Sequence, residues 1–245
     1  MVRSSQASAM ATVELLRGRV IVSCQAAAGD PLDHLETLTR MAVSALRGGA
    51  GGLRAEGVDR IQAFRGITEL PILGIVKSYD AQGEVYITPN FAAAKAISEA
   101  GADMIALDCT GRRLKEAEPW PGLIVRIHQE LGRPVCADIA SLEDGVAAEI
   151  AGADAVATTL HGYTAETAGG REVPWSLIEQ LLATVAVPVI VEGHITRPEE
   201  VRRALAMGAH AVVIGSAITR PETITARFVQ AANVFKMSSR AELAD

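Results

Sequence analysis

The stretches AGADMIALD (100–108), AGADAVATT (151–159) and MGAHAVVIG (207–215) repeat one pattern along the chain. In each of them a glycine follows the end of a predicted helix, a short polar turn comes next, and an apolar strand begins. Glycine readily adopts the left-handed backbone conformation that ends many helices, so the pattern predicts a helix, a tight turn and a strand at all three places. Connections this short are typical of alternating α/β chains.

The rest of the chain extends this alternation to eight strands. The predicted strands are RVIVSCQ (19–25), GLRAEG (52–57), ILGIVKS (72–78), MIALDC (104–109), VCADIA (135–140), AVATT (155–159), VIVEG (189–193) and AVVIGS (211–216). Most of these runs are continuously apolar, which is typical of parallel strands covered on both faces. Between them lie segments with apolar residues at three- and four-residue steps, such as FAAAKAISEAG (91–101), which predict helices.

Eight such units predict one closed (β/α)8 barrel, the TIM-barrel fold, over residues 1–245. A chain of 245 residues has the usual size for this fold, and no linker rich in Pro, Gly or Ser divides it. An open, doubly wound sheet is the alternative, and the lack of a GxGxxG pattern after the first strand argues against a dinucleotide-binding form. The ordered core is expected over about 13–236, with frayed ends on both sides.

The composition excludes several classes of function. A formal net charge of −6 argues against a nucleic-acid partner, which would need a basic face. No apolar run approaches the roughly 18 residues of a membrane span, and the first residues lack the apolar core of a signal peptide. The three cysteines, Cys24, Cys109 and Cys136, lie inside apolar runs without metal-ligand spacing, so we expect them to be buried and reduced. Together these features predict a cytoplasmic protein without a metal site.

Polar or small residues end every predicted strand, at the edge where (β/α)8 enzymes carry their active sites. They are Gln25, Arg54, Lys77, Asp108, Asp138, Thr158, Thr159, Glu192, Gly215 and Ser216. Any one of them could have a purely structural role, in an ion pair or a solvated loop. A whole rim of hydrogen-bonding groups at the ends of apolar strands is harder to explain that way, so the set predicts a functional site.

Lys77 is the most informative of these residues, because it ends the apolar run LPILGIVK (70–77). Burial and a cationic neighbour such as Arg54 would lower the pKa of its ammonium group, so that it could act as a base near neutral pH. Glu192 ends the seventh strand, across the barrel from the third. The two groups are therefore predicted to handle protons on opposite sides of one substrate.

Other roles for Lys77 remain open. It could form a Schiff base with a carbonyl substrate, which would make the chain a lyase or synthase. It could instead form a structural ion pair with Asp108 or Asp138. A further alternative is a barrel that binds a phosphosugar without turning it over.

The last two strand ends predict a phosphate site. In VEGHI (191–195) and VIGSAITRP (213–221), small residues follow strands seven and eight and would expose backbone N–H groups to an anion. An arginine close behind could add a planar, bidentate partner for the phosphate. The predicted phosphate-binding residues are Gly193, Gly215, Ser216 and Arg220.

The order of short motifs along the chain closely resembles that of the N-acetylmannosamine-6-phosphate 2-epimerases. The motifs are VSCQA (22–26), GGLRAEG (51–57), LPILGIVK (70–77), ALDCTGR (106–112), CADIASLEDG (136–145), TTLHGYT (158–164), VEGHI (191–195) and IGSAITRP (214–221). The resemblance runs from about Gly18 to Phe235. It implies a homodimeric, cofactor-independent enzyme of amino-sugar and sialic acid catabolism, which interconverts N-acetylmannosamine 6-phosphate and N-acetylglucosamine 6-phosphate.

The resemblance also implies roles for individual residues. Lys77 would remove the proton at C2 of the sugar, and Glu192 would take part in the proton transfer. Two positions depart from the family's pattern, His161 and His194, and we expect both to lie outside the core site. The sugar and its N-acetyl group would be held by Gln25, Arg54 and Asp138, and the phosphate by Arg220 with backbone groups near Gly193, Gly215 and Ser216.

Overall fold

Eight parallel strands close into a barrel in the computed structural model, which describes residues 10–27, 29–80 and 83–241, with side chains to residue 233. The barrel is closed by the pairing of its first and last strands, where Arg19 lies opposite Ala211. The predicted (β/α)8 barrel is confirmed, and every predicted barrel strand is present, although each ends one to three residues earlier than predicted. The strands are β1 (Arg19–Ser23), β2 (Gly52–Glu56), β3 (Ile72–Ile75), the hairpin strands β4 (Lys77–Tyr79) and β5 (Val85–Ile87), then β6 (Met104–Asp108), β7 (Val135–Asp138), β8 (Ala155–Ala157), β9 (Val189–Glu192) and β10 (Ala211–Ile214).

Helices connect the strands around the outside of the barrel. A helix α1, whose described part covers 10–14, lies at the amino-terminal ends of the barrel strands. It is tied there by His210, just before β10, which bonds through Nε2 to the carbonyl oxygen of Val13. None of the helices in the described part of the chain is long and apolar enough to cross a membrane. The others are α2 (Leu35–Arg47), α3 (Val58–Arg65), α4 (Phe91–Glu99), α5 (Trp120–Arg126), α6 (Leu142–Ile150), α7 (Trp175–Thr184), α8 (Pro198–Met207), the short α9 (Ser216–Thr219) and α10 (Pro221–Ala241).

The structure describes the two predicted frayed ends only in part, and their fraying stays a prediction. Residues 10–12 belong to α1, and residues 237–241 belong to α10. The remaining parts of both predicted ends, residues 1–9 and 242–245, lie outside the described residues.

The repeated glycines have the predicted left-handed conformation. Gly101, Gly152 and Gly208 have φ values of 108°, 96° and 108°. The residue after each glycine donates its N–H to a carbonyl five residues earlier, as Ala102 does to Ile97 at 3.0 Å. The next residue already bonds to a neighbouring strand, as Asp103 does to the carbonyl oxygen of Ile72. Each glycine therefore ends one helix and lets the next strand join the sheet within two residues.

Lys77 is not on a barrel strand, contrary to the prediction of a strand over 72–78. The barrel strand β3 ends at Ile75, and Lys77 opens the antiparallel hairpin β4–β5, in which it lies opposite Ile87. Thr88 anchors the hairpin, because its N–H donates to the carbonyl oxygen of Val76 at 2.6 Å and its hydroxyl donates to that of Ala106 at 2.7 Å. The lysine thus lies just above the barrel, on an element tied to its rim.

Candidate active site

A cavity of about 1160 Å³ opens at the carboxyl ends of the barrel strands. Its walls come from the strand ends, from the β4–β5 hairpin and from the loops after β8, β9 and β10. Of the residues predicted at the strand ends, Asp108, Asp138 and Thr158 do not line the cavity and Thr159 does. The structure brings together here all the residues given a catalytic or binding role except Asp138: Gln25, Arg54, Lys77, Glu192, Gly193, Gly215, Ser216 and Arg220.

Arg54 links two carboxylates across the top of the barrel. Its side chain is 1% exposed, and its Nη2 donates to Oδ2 of Asp138 at 2.6 Å. Its Nη1 donates to Oδ1 of Asp138 at 3.1 Å and to Oε2 of Glu192 at 2.9 Å. Among the described residues its Nε has no partner, so this N–H remains for a further acceptor. Two buried charges are thereby paired with one guanidinium, which is the arrangement that buried ions require.

Asp138 was predicted to hold the substrate, but the structure places it away from the cavity. Its carboxylate is fully buried and does not line the cavity, because Arg54 and Thr159 cover both of its oxygens. The strand-end position of Asp138 was predicted correctly, but its side chain turns into the barrel interior. The carboxylate of Asp138 therefore holds the guanidinium of Arg54 in place.

Glu192 is held in a partly buried position at the end of β9. Its side chain is 12% exposed, and its N–H and carbonyl oxygen both bond to the hydroxyl of Thr158. Burial raises the pKa of Glu192 to about 7, and the negative charge of Asp138 acts in the same direction, against the opposing charge of Arg54. A carboxyl group with this pKa can gain and lose a proton near neutral pH.

Lys77 faces the same cavity from the opposite side of the barrel. Burial lowers the pKa of its ammonium group, and the positive charges of Arg54 and Arg220 lower it further, while Glu56 and Glu192 raise it. Within the part of the chain that the structure describes, Lys77 forms no ion pair. A lysine in this setting can give up its proton more readily than one on the surface.

The structure disfavours the predicted alternative in which an aspartate neutralises Lys77. Asp108 is fully buried and bonds to Arg112 at 2.8 Å and to the hydroxyl of Thr110 at 2.6 Å. Asp138 is bonded to Arg54. Both carboxylates are therefore paired elsewhere.

The predicted phosphate-binding residues lie together at the β9 and β10 side of the cavity. Gly215 precedes α9, whose first N–H groups have no partner within the helix. The hydroxyl of Thr219 fixes this turn to β1 by donating to the carbonyl oxygens of Ser23 and Gly215, both at 3.0 Å. Arg220 forms no ion pair with any described residue, so its guanidinium can bind an anion.

Sequence reasoning missed part of the cavity wall. His194 was expected outside the site, yet it lines the cavity, with a left-handed φ of 61°. Its ring stacks on Tyr163 at 5.6 Å between centroids, and its Nε2 bonds to the carbonyl oxygen of His161 at 3.1 Å. The aromatic residue that stacks on His194 is Tyr163 of the stretch TTLHGYT (158–164), and only the folded loop brings the two side chains together. His161 itself bonds to the carbonyl oxygen of Ala140.

The cysteines are buried and free, as predicted. Cys24, Cys109 and Cys136 form no disulfide, and burial raises the pKa of the Cys24 thiol to about 12. In the described residues, no group of three or more His, Cys, Asp and Glu side chains is arranged to hold a metal ion.

Known proteins resemble this chain over most of its length. A family model described as putative N-acetylmannosamine-6-phosphate epimerase matches residues 38–234. A putative N-acetylmannosamine-6-phosphate 2-epimerase of Clostridium perfringens (strain SM101 / Type A) is 43% identical over 216 residues, 88% of this chain and 97% of the relative. Another, of Thermosynechococcus vestitus, is 48% identical over 194 residues, 79% of this chain and 84% of the relative.

Solved structures give the same result. The N-acetylmannosamine-6-phosphate 2-epimerase from Clostridium perfringens superposes with a TM-score of 0.85 at 42% identity, covering 89% of this chain and 95% of that one. A thiamine phosphate pyrophosphorylase from Pyrococcus furiosus superposes with a TM-score of 0.59 at 18% identity, a likeness of fold alone. The similarity in sequence and the similarity in structure thus point to the same group of proteins.

Proposed function

The chain belongs to the family of putative N-acetylmannosamine-6-phosphate epimerases, and on that premise we propose that it inverts C2 of N-acetylmannosamine 6-phosphate to give N-acetylglucosamine 6-phosphate. The observation that carries the proposal is that Lys77 and Glu192 face one cavity from opposite sides of the barrel. Both have pKa values moved towards neutrality, Lys77 downwards and Glu192 upwards. A pair of this kind suits removal of a proton from one face of a carbon and its return to the other.

The chemistry begins with the open-chain form of the sugar, because C2–H becomes acidic only when C1 is an aldehyde. Neutral Lys77 takes the C2 proton, and the electron pair moves into an enolate, with a C1–C2 double bond and the negative charge on the oxygen at C1. Glu192 then gives its proton to the opposite face of C2, which restores the aldehyde with inverted configuration. In the reverse direction the two groups exchange roles. Donors near the C1 oxygen stabilise the intermediate.

The remaining site residues bind and orient the substrate in this proposal. Gln25 and the unpartnered Nε of Arg54 are donors for the sugar and its N-acetyl group. Asp138 acts indirectly, by fixing the guanidinium of Arg54. The phosphate lies at the β9–β10 end of the cavity, against Gly193, Gly215, Ser216 and Arg220.

Direct observation of turnover tests the proposal. Each of the two hexosamine phosphates is incubated with the enzyme and followed by proton NMR; we expect the same mixture of both from either starting compound. Binding of either compound without interconversion would make the chain a phosphosugar-binding barrel. Borohydride reduction in the presence of substrate separates the remaining alternative, since a covalent adduct on Lys77 would identify a Schiff-base enzyme.

The pH dependence of kcat/KM is expected to be bell-shaped. The site is active when Lys77 and Glu192 together carry one proton, which lies on Glu192 in one direction of the reaction and on Lys77 in the other. Below about pH 7 both groups are protonated, so neither can accept the C2 proton, and the rate falls along the acid limb. At high pH both groups lose their protons, so the alkaline limb lies below the ordinary lysine value of 10.5. Initial rates across the pH range check this, and a rate that is flat from pH 6 to pH 10 contradicts it.

Replacement of Arg220 by methionine is expected to impair substrate binding more than turnover. The variant loses a charge-assisted contact to the phosphate, worth about 1.5–3 kcal/mol or roughly a 10- to 150-fold rise in KM. Steady-state kinetics check this, and Arg227→Met is a matched control, since Arg227 lies on α10 at the mouth of the cavity. Unchanged KM in Arg220→Met, or an equal effect of both variants, contradicts the assigned phosphate site.

A homodimer and a cytoplasmic location complete the proposal. Helix α10 supports the dimer, because its apolar residues Phe228 and Val229 are 74% and 52% exposed. A helix gains most of its stability by packing its apolar side chains, so a second chain is expected to cover these two. We expect light scattering to give twice the mass of one chain, and Phe228→Glu to weaken the dimer. Ile150→Glu is the control, since this equally exposed residue lies on α6. A monomeric wild type contradicts the proposed dimer.

The free, buried cysteines support the proposed cytoplasmic location, because disulfides are rare in that reducing compartment.

A further inference from the structure

The hydroxyl of Thr159 lies between the two carboxyl groups of the site. Its Oγ1 is 2.5 Å from Oδ1 of Asp138 and 3.3 Å from Oε2 of Glu192. A threonine hydroxyl has one hydrogen and two lone pairs, so it can donate to only one of these oxygens at a time. The direction of that single hydrogen decides how Thr159 acts on Glu192.

The surroundings of Asp138 assign this hydrogen. Asp138 is fully buried, and both of its oxygens already act as acceptors for the guanidinium of Arg54. A separation of 2.5 Å is typical of a hydroxyl bonded to a carboxylate, whereas 3.3 Å is long for such a bond. A hydrogen donated by Thr159 to Glu192 would lower the pKa of that carboxyl group. The much shorter contact gives the hydrogen to Asp138 instead, so a lone pair of Oγ1 faces Glu192.

We propose that Thr159 is a positioning residue that keeps Glu192 in its protonated form, ready to give a proton to the substrate. Protonated Glu192 can place a hydrogen between its own oxygen and Oγ1 of Thr159. Ionised Glu192 sets two oxygens with lone pairs against each other. The inference rests on the proposed role of Glu192 in proton transfer. It names Thr159 as the side chain that favours the protonated form of Glu192.

The charged groups around Glu192 act in both directions. Arg54 from β2 and Lys77 from β4 favour the ionised form of Glu192, whereas Asp138 from β7 opposes it through its negative charge. The thiol of Cys136 lies nearby, and burial raises its pKa. Thr159 is the one neutral side chain among the described residues that bonds to the carboxyl group of Glu192. A change at Thr159 therefore alters this carboxyl group without altering the net charge of the site.

The preceding residue, Thr158, provides a matched control. Its hydroxyl donates to the carbonyl oxygen of Glu192 at 2.8 Å and accepts from its N–H at 3.1 Å, so it holds the main chain and leaves the carboxyl group untouched. Replacement of either threonine by valine removes one hydroxyl at nearly constant volume. Only the change at Thr159 is expected to alter the proton affinity of Glu192.

Infrared titration measures this affinity without turnover. The carboxylic C=O band of Glu192 is identified by its loss in Glu192→Gln. In Thr159→Val we expect the pKa of Glu192 to fall by roughly 0.5–1 unit, the equivalent of one hydrogen bond. Thr159→Ser keeps the hydroxyl and is expected to titrate like the wild type, as is Thr158→Val. If Thr159→Val fails to fold, Thr159→Ala carries the same expected sign.

The sign of the shift decides the outcome. A rise of the pKa in Thr159→Val means that the hydroxyl donates to Glu192, and this overturns the proposal, as does an unchanged value. An equal fall in Thr158→Val also overturns it, because the effect would then come from displacement of the strand. In kinetics, the acid limb of the pH–rate profile moves to lower pH in Thr159→Val. If the wild type converts neither sugar phosphate, the proposed function fails, while the infrared titration still decides the role of Thr159.

Discussion

Replacement of Lys77 by methionine is expected to lower kcat for epimerisation by about 10²–10⁴-fold, the usual contribution of a general base. Methionine has a similar volume to the apolar part of lysine but no amine. Lys77→Arg tests the same point with the charge retained, because arginine does not lose its proton in proteins, and we expect it to be as inactive. Initial rates measured by NMR check both variants.

A surface lysine is the control for these variants. Lys95 lies on α4 with only a long contact of 3.8 Å to Glu99, so Lys95→Met is expected to keep the wild-type rate. Full activity in Lys77→Met would remove Lys77 from the mechanism and leave Glu192 as the sole proton-transfer group. Full activity in Lys77→Arg would show that its charge, and not its proton exchange, matters.

Replacement of Arg54 by methionine is expected to destabilise the fold by about 3–5 kcal/mol, because it leaves buried charge unpaired. Arg54 is the cation bonded to both Asp138 and Glu192, and these carboxyl groups would then repel each other across the top of the barrel. Urea unfolding at pH 8 measures the loss of free energy. The loss is expected to be smaller at pH 6, where Glu192, with a pKa of about 7, is protonated and carries no charge to compensate.

Arg40 provides the matched control for this change in stability. It pairs with Glu36 on the exposed face of α2, so Arg40→Met is expected to change the free energy of unfolding by no more than about 0.5 kcal/mol. A loss below about 1 kcal/mol in Arg54→Met would mean that the two carboxyl groups find other partners or water. Water at this place would also weaken the burial that raises the pKa of Glu192.

The fold was readable from the sequence because its signals are local. The glycines at 101, 152 and 208 end helices by their own backbone preference, and apolar runs mark the strands whatever their neighbours are. Strand ends were less accurate, since pairing with neighbours decides where a strand stops. The β4–β5 hairpin was missed for that reason: the run continues apolar through Val76, but the barrel strand ends at Ile75.

The candidate site was predictable in position but not in detail. Placement at a strand end identifies Lys77, Glu192 and Arg54 as cavity residues, yet it does not tell which side chain turns inward, as Asp138 does. Continuously apolar strands carry no alternation from which the facing of the last residue could be derived. Thr159 shows the same limit, because a 3-10 turn over Thr158–Leu160 replaces the predicted strand end and brings its hydroxyl between two carboxyl groups.

Deuterium incorporation at C2 tests the central claim most directly. Wild-type enzyme is incubated with N-acetylmannosamine 6-phosphate in D₂O, and the isotope at C2 of both sugars is measured by NMR at low conversion. Two groups on opposite faces predict that each N-acetylglucosamine 6-phosphate formed carries deuterium at C2, supplied by Glu192 after exchange with solvent, while unreacted substrate keeps its hydrogen. Inverted product that retains the original hydrogen at C2 would contradict proton transfer by Lys77 and Glu192.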